Sequence, residues 1–587
     1  MNIESRSGLK IKEDISMGNF KDSTVYQIYT KSFQDTTGNG LGDIRGVISR
    51  LDYLKELGID YIWLTPFFCS PLNDNGYDVS DYMAIDPVFG HMEDVEELIR
   101  ESDRRGMGCM FDMVFNHTST AHRWFQKALK GEPEYMDYYI FRSGEPETPP
   151  TNWQSKFGGK AWEYVPHLKK WYLHLFDVSQ ADLNWDNPRV REELKNVIRF
   201  WKDKGVKGFR FDVVNLISKP DVFADDDRGD GRRFYTDGPH VHEYLQELVR
   251  DTGIQDMVTV GEMSSTSLDN CIRYSRPEDR ELSMCFNFHH LKVDYRDGDK
   301  WKLMEPDLKE LKRLFMEWQE GMEKGNGWNA VFWCNHDQPR AISRFGDDAG
   351  YWKESGKMLA TVIHMFRGTP YVYQGEELGM TNPRYENISQ YRDVESTNYY
   401  RILTEQGCSK EEALQVLAAR SRDNGRTPMQ WDGSPNAGFT QTEPWIGIPE
   451  NHTWINAEAE AGDEDSIYNY YKKLIALRKK YKVISEGEIE FIYREHPQVL
   501  AYKRRDAVQE CRDTAQECRD AAQELIVAAN MTGEYAELGE ALELKGWRKL
   551  IGNYKDQDSK GLEGVKTLRP FECAVYIRCS ILSGAVV

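Results

Sequence analysis

The sequence predicts a (β/α)₈ barrel with a small domain inserted after the third strand and a C-terminal antiparallel β-sandwich. Three observations carry that expectation. From about Thr24 to Lys480, short apolar runs of strand length alternate with amphipathic helical stretches. Eight such runs can be found, the number that closes a parallel barrel. Beyond Lys480 the helical periodicity gives way to closely spaced strand-like runs. The competing architecture is an open doubly wound sheet, but no Gly-rich phosphate fingerprint follows the first strand.

The first strand is Val25 to Tyr29, followed by a helix near Val47 to Leu57. Tyr61 to Leu64 is the second strand, with a helix near Met92 to Ser102, and Cys109 to Val114 the third. The fourth is Gly208-Phe209-Arg210-Phe211-Asp212. Met257 to Glu262, Met284 to Asn287, Val331 to Cys334 and Tyr371 to Tyr373 complete the set. Strands separated by helices pair in parallel through right-handed crossovers. Between the third and fourth strands the helical pattern lapses into an aromatic, Gly- and Pro-bearing stretch too long for an ordinary connection. The expected division is 1–115 and 188–484 for the barrel, 116–187 for an inserted lid and 485–587 for the sandwich.

Within the sandwich, residues 505–525 form a heptad repeat that sets Val508, Cys511, Ala515, Cys518, Ala522 and Leu525 on one helical stripe. Small stripe residues and few heptads favour a helical or frayed insert extending a hairpin. Cys511 and Cys518 lie two turns apart, about 10 Å, and cannot bridge within an intact helix.

Composition narrows the function classes. The 587 residues carry a formal net charge of -21, which argues against nucleic acid, whose binding needs basic neutralisation. No run is long enough to span a membrane, and the start, Met1 to Arg6, lacks an apolar signal core. Ten scattered cysteines without paired metal spacing read as reduced thiols. A cytoplasmic monomer is expected, with no nucleic-acid or membrane partner.

The chemistry gathers at the strand ends. The third strand ends at Asp112, with Asn116 and His117 beyond; the fourth at Arg210 and Asp212; the fifth at Glu262; the seventh at Asn335, His336 and Asp337. Residues two apart on a strand share a face, so Arg210 can hold Asp212 ionised. On a barrel these ends converge on one pocket, and carboxylates that repel one another are costly to cluster without a functional reason. Two carboxyl groups about 5 Å apart are the apparatus of a retaining glycosidase.

The segments Asp112 to His117, Gly208 to Asp212, Val260-Gly261-Glu262 and Asn335-His336-Asp337 resemble, in order, the four signature regions of the alpha-amylase family, glycoside hydrolase family 13. Gln180-Ala181-Asp182-Leu183-Asn184 is similar to the fifth region of its oligo-1,6-glucosidase branch, with Ala where Pro is usual. The resemblance implies Asp212 as nucleophile, Glu262 as general acid and then base, and Asp337 as the carboxylate that grips substrate hydroxyls as the oxocarbenium ion develops. It also implies His117 and His336 on the glucose, Tyr77 stacked on its ring, and Asp78 on its distal hydroxyls. Arg422 is expected beside that Asp, with Arg426 second. Val213 after the nucleophile fits members that cleave linkages other than alpha-1,4.

Further stretches, Asn215 to Lys219, Gly229 to Pro239, Gly261 to Ser265 and Phe288 to Tyr295, are similar to branch members acting on a disaccharide phosphate. They place His289 and Lys292 on the leaving-group side. The implied activity is an exo-acting retaining alpha-glucosidase that converts trehalose 6-phosphate to glucose and glucose 6-phosphate. Its alternatives are an oligo-1,6-glucosidase or isomaltase, or an alpha-glucosyl transferase or isomerase. A non-enzymatic transporter partner on this scaffold would lack the acidic strand ends. No cofactor is needed for such chemistry, but Asp35, Thr37, Asn39, Leu41 and Asp43 offer oxygens at alternate positions of the first loop, as for a structural calcium or magnesium, the other reading being a plain turn.

Overall fold

The computed structural model of the protein describes residues 20–506, 522–555 and 564–580. The predicted strands are present as β1 (Val25–Ile28), β2 (Tyr61–Leu64), β3 (Gly108–Met113), β4 (Gly208–Phe211), β5 (Val258–Met263), β6 (Met284–Asn287), β7 (Ala330–Val331) and β8 (Thr369–Tyr373). They form one sheet in the order β6-β5-β4-β3-β2-β1-β8-β7, with every neighbour parallel. A parallel bridge between Cys285 and Asn329 joins its two edges and closes the barrel.

Strands enclosed on both faces read as continuous rather than alternating apolar runs. All four residues of β1 and all five of β8 are buried. The outer helices carry their apolar residues on one stripe. In Pro188–Asp203 these are Val190, Leu194, Val197, Ile198 and Trp201, and Asn187 caps the helix ahead of Pro188. The helix expected near Val47 to Leu57 is two, Ile44–Ser49 and Leu51–Leu57, and Asp43 caps the first through the Gly46 N–H.

Between β3 and β4 the chain builds a three-stranded antiparallel sheet from Phe141–Ser143, Lys170–Leu173 and Trp162–Val165. His117–Ser119 pairs antiparallel with Gln180–Asp182, so the excursion leaves and returns through one ladder. Its core of Trp153, Trp162, Trp171 and Leu173 is shared with Val213, Leu216 and Tyr235 from the loop after β4. The lid is thereby packed onto the segment that follows the fourth strand.

After the helix Ile467–Lys480 come β9 (Glu488–Ile492), β10 (Val499–Arg505), β11 (Ala522–Asn530), β12 (Ala536–Glu543), β13 (Arg548–Gly552), β14 (Gly564–Leu568) and β15 (Cys573–Ser580). The main sheet runs β9-β10-β11-β15-β13, and β12 pairs with β14 across a small core that includes Val499, Ile526, Leu538 and Leu542. The helical stripe expected through Ala522 and Leu525 is corrected at its end. Those residues lie in β11, where Leu525 pairs with Arg504 and is wholly buried. A hairpin ladder satisfies backbone groups that a short helix of small residues would leave to solvent. The rest of the repeat, 507–521, lies outside the described residues. Among the described residues no helix is long and apolar enough to cross a membrane.

Candidate active site

Arg210 is the hub. In parallel register it sits between Asp112 of β3 and Val260 of β5, its side chain 1% exposed. Its Nη1 donates to Asp112 Oδ1 and to Asp212 Oδ1, both at 2.6 Å, while Nη2 meets Glu262. One guanidinium therefore touches three carboxylates, a wider role than the Asp212 pairing read from the sequence. Gly208 makes the close strand approach possible, since a Cβ there would stand 2.7 Å from the Val258 carbonyl. Asp212 follows the strand end, its N–H bonded to the Met113 carbonyl. Val213 then takes φ 35°, a left-handed conformation costly for a β-branched residue and frequent at functional turns.

Asp112 lies deeper. It accepts from Trp63 Nε1 at 3.1 Å and Tyr77 Oη at 2.9 Å. Burial pushes its carboxyl up to about 7 against the pull of Arg210. Tyr77 stacks on His336, with centroids 5.0 Å apart and planes 3° from parallel. His336 Nδ1 bonds Gln27 at 2.7 Å, whereas its Nε2 is buried without a hydrogen-bond partner, 3.5 Å from Asp337 Oδ2. Burial takes that imidazole down to about 3, which leaves it neutral. His117 is likewise lowered by burial and is bracketed by Asn116, Gln180 and the Tyr77 carbonyl.

Asp337 accepts from Arg426 Nη2 at 2.7 Å and lies 3.5 Å from Arg422 Nη1. Against the upward push of burial, the charges of His336, Arg422 and Arg426 hold it well below the usual carboxylate range. With His336 neutral, the two guanidinium groups carry that effect.

The pocket's far end corrects the expectation for Asp78. That side chain is fully buried in its own loop, accepting from Ser70 Oγ at 2.9 Å and from the N–H groups of Asn73 and Asp74 at 3.0 Å. The carboxylate beside Arg422 is Asp74, at 2.9 Å, which also accepts from Gln180 at 3.1 Å. A turn bonded from the Tyr77 N–H to the Asp74 carbonyl, with Asn75 and Gly76 at positive φ, swings Asp74 and Tyr77 to the same side. Burial raises Asp74 to about 7, opposed by Arg422 and Arg426. Arg422 also bonds Asp393 at 2.5 Å, a partner no sequence motif announced, and rests over the Phe157 ring of the lid.

A second buried network ties lid to barrel. Lys219 Nζ bonds Asp182 Oδ2 at 2.9 Å and Asn116 Oδ1 at 2.8 Å, joining the fifth-region acid to the end of β3 and to the loop after β4.

His289 packs on Trp318, with centroids 4.8 Å apart, and burial lowers it to about 4, so it brings no charge near pH 7. Lys292, in the same turn, is lowered by burial and by the charge of Arg232. In the first loop Asp35 accepts from the N–H groups of Thr37, Gly38 and Gly40 and from Thr440 Oγ1. Asp43 accepts from Thr36 and caps a helix, Thr37 Oγ1 lies 3.2 Å from Asp35, and Asn39 accepts from the Leu41 N–H. No group of three His, Cys, Asp or Glu among the described residues is placed to hold a metal ion.

Residues 27–487 match the model of the alpha-amylase catalytic domain. The chain is 51% identical over 561 residues to trehalose-6-phosphate hydrolase of Escherichia coli (strain K12), covering 95% of this chain and 98% of that protein. It is 44% identical over 567 residues to an oligo-1,6-glucosidase of Bacillus cereus, covering 95% and 99%. The crystal structure of Bacillus licheniformis trehalose-6-phosphate hydrolase superposes with a TM-score of 0.88 at 52% identity, covering 96% of this chain and 100% of that one.

Proposed function

This chain belongs to the alpha-amylase family of glycoside hydrolases, and we propose that it is an exo-acting, retaining alpha-glucosidase that hydrolyses trehalose 6-phosphate to glucose and glucose 6-phosphate. The observation that carries the reading is the Arg210 guanidinium shared by Asp212 and Glu262. Two carboxyls held on one guanidinium support the retaining arrangement, in which the pair stands close across the glycosidic bond.

In the first step Asp212 attacks the anomeric carbon, and Glu262 gives its proton to the departing glycosidic oxygen as the C–O bond breaks. In the second, Glu262 takes a proton from water, whose oxygen displaces Asp212. Anomeric configuration is retained, and the chemistry needs no cofactor. Arg210 contacts both carboxylates. Glu262 takes up a proton from solvent as it leaves the guanidinium for the glycosidic oxygen, and the ion pair with Asp212 stays. Asp337, ionised between Arg422 and Arg426, is suited to grip glucose hydroxyls more tightly as positive charge develops. The unpartnered Nε2 of neutral His336 offers a further contact to the same sugar, opposite His117. Asp74 with Arg422 closes the pocket behind one terminal glucose, which supports exo action.

Identity near one half to trehalose-6-phosphate hydrolases along nearly the whole chain favours the phosphorylated substrate. The test is product analysis on trehalose 6-phosphate, isomaltose and sucrose, with NMR of the nascent sugar. Alpha-glucose released first, and fastest from trehalose 6-phosphate, is expected. Preference for isomaltose would make this an oligo-1,6-glucosidase, and sugar transfer in place of hydrolysis a transferase or isomerase.

Cys69, Cys109, Cys271, Cys285, Cys334, Cys408 and Cys573 are free thiols, which supports a reducing, cytoplasmic location. Every group of the site comes from one chain, which supports a monomer as the working unit. For the first loop we infer a plain turn in preference to a structural calcium or magnesium, because its carboxylates already accept from backbone N–H groups and a hydroxyl. Calorimetric titration of chelator-treated protein should show no saturable binding below about millimolar cation; a micromolar site would overturn this.

A further inference from the structure

General acid Glu262 marks the leaving-group side of the pocket, because the proton it gives goes to the bond between the two sugars. Ser264 and Ser265, two and three residues past it, stand at most about 7 and 11 Å further along the chain. They are held rigidly. Asn215, three residues after Asp212, bonds both the N–H and the carbonyl of Ser264 at 2.9 Å, and Ser265 turns at φ 55°. Each serine hydroxyl meets a cation from a different segment. Lys156, carried by the lid, bonds Ser264 Oγ at 2.8 Å. Arg232, from the loop after β4, reaches Ser265 Oγ at 3.4 Å.

Both cations are placed by packing rather than by chance contact. The lid strand enters through Gln154, whose N–H bonds the Asp230 carbonyl. Gly231 lies flat on Trp153, where a Cβ would stand 2.3 Å from the indole, so Arg232 follows a contact that only glycine permits. Lys156 is half-buried, with Phe176 and Tyr235 rings at 5.7 and 5.9 Å. The charges acting on it are Arg232 and Lys292, which repel it, and Asp230 and Asp182, which attract it. Asp230 is bonded to Arg232 at 2.9 Å, and Asp182 to Lys219. In a chain of net charge -21, three cations crowd together, and among the described residues neither Lys156 nor Lys292 has a carboxylate within ion-pair distance.

We propose that Lys156 and Arg232, hooked to Ser264 and Ser265, form with Lys292 the clamp for the phosphate of the leaving sugar, and that Lys156 couples this recognition to lid position. The inference rests on the trehalose 6-phosphate reading and names the residues that would make that choice. A phosphate supplies the counter-charge that repelling cations lack and has oxygens enough for all three. Burial, with the repulsion of Arg232 and Lys292, pushes the Lys156 ammonium down to about 7, so without ligand it loses its charge just above neutrality. The phosphate gains its second charge near pH 6. Recognition should peak between these two titrations and weaken as pH rises.

The test compares kcat/KM for trehalose 6-phosphate with that for the uncharged 4-nitrophenyl alpha-glucoside. In wild type the ratio should fall as pH rises from about 6.5 to about 8.5. Lys156→Met and Arg232→Gln should each lower the ratio about 10- to 100-fold, through KM for the phosphorylated sugar. Lys156→Arg should restore it and remove its pH dependence, because a guanidinium does not titrate there. A wild type that prefers trehalose 6-phosphate but whose ratio survives both substitutions would refute the clamp alone. A wild type indifferent to the phosphate would refute the clamp and the substrate assignment together.

Discussion

Asp74→Asn set beside Asp78→Asn separates a sugar-gripping carboxylate from a loop-bracing one. Asp74 is 3% exposed and sits 2.9 Å from Arg422 Nη2, which also bonds Asp393 at 2.5 Å and lies with its Nη1 3.5 Å from Asp337. Removing one partner of a buried, hydrogen-bonded charge pair in a binding site costs roughly 2 to 5 kcal/mol. Because Asp393 still holds Arg422, the lower half applies, about 2 to 3.5 kcal/mol, or a fall in kcat/KM of roughly 30- to 400-fold. Stability should hardly move. Burial raises Asp74 to about 7 from an unfolded value near 3.9. A carboxyl raised on folding favours the fold below its unfolded pKa, and that contribution is lost as pH rises towards 7. At pH 8 the amide removes this unfavourable burial of charge and offsets the lost pairing. Asp78→Asn should behave oppositely. It disturbs three hydrogen bonds within the loop and lowers the melting temperature, while kcat/KM falls by no more than about threefold. Steady-state kinetics at pH 8 and calorimetry of both variants decide the matter. If Asp78→Asn abolishes turnover while Asp74→Asn spares it, the assignment from the turn geometry is wrong.

Asp212→Asn should lose on the order of 10⁴-fold in kcat with little change in substrate binding, measured by single turnover and isothermal titration; wild-type turnover would falsify its role as nucleophile. Lys219→Met leaves Asp182 charged and buried, and should destabilise by about 3 to 5 kcal/mol. Faster hydrogen exchange across the lid ladder of His117–Ser119 and Gln180–Asp182 would show it, whereas exchange unchanged there would mean that the network does not hold the lid. Gly208→Ala drives a methyl to 2.7 Å from the Val258 carbonyl and should cost about 1 to 3 kcal/mol in urea unfolding, by forcing β4 and β5 apart.

Sequence alone carried the barrel and the rim carboxylates, for a physical reason in each case. Strands buried on both faces are written as uninterrupted apolar runs, and their connecting helices as stripes. Polar groups placed just past such runs must emerge together at one rim, which brought Arg210, Asp212, Glu262 and Asp337 together on paper. Only the tertiary structure could decide what depends on a turn or on a partner far along the chain. Asp74 and Asp78 stand four residues apart in the loop after β2, the same residue type. The turn through Asn75 and Gly76 sends one to Arg422 and folds the other into its own loop. Likewise Arg210's grip on Asp112 and Glu262 as well as Asp212 arises from register between strands, which no local pattern records. The meeting of Lys156 with Ser264, 108 residues apart, exists only because the lid's tryptophan core is packed on the loop that follows the fourth strand.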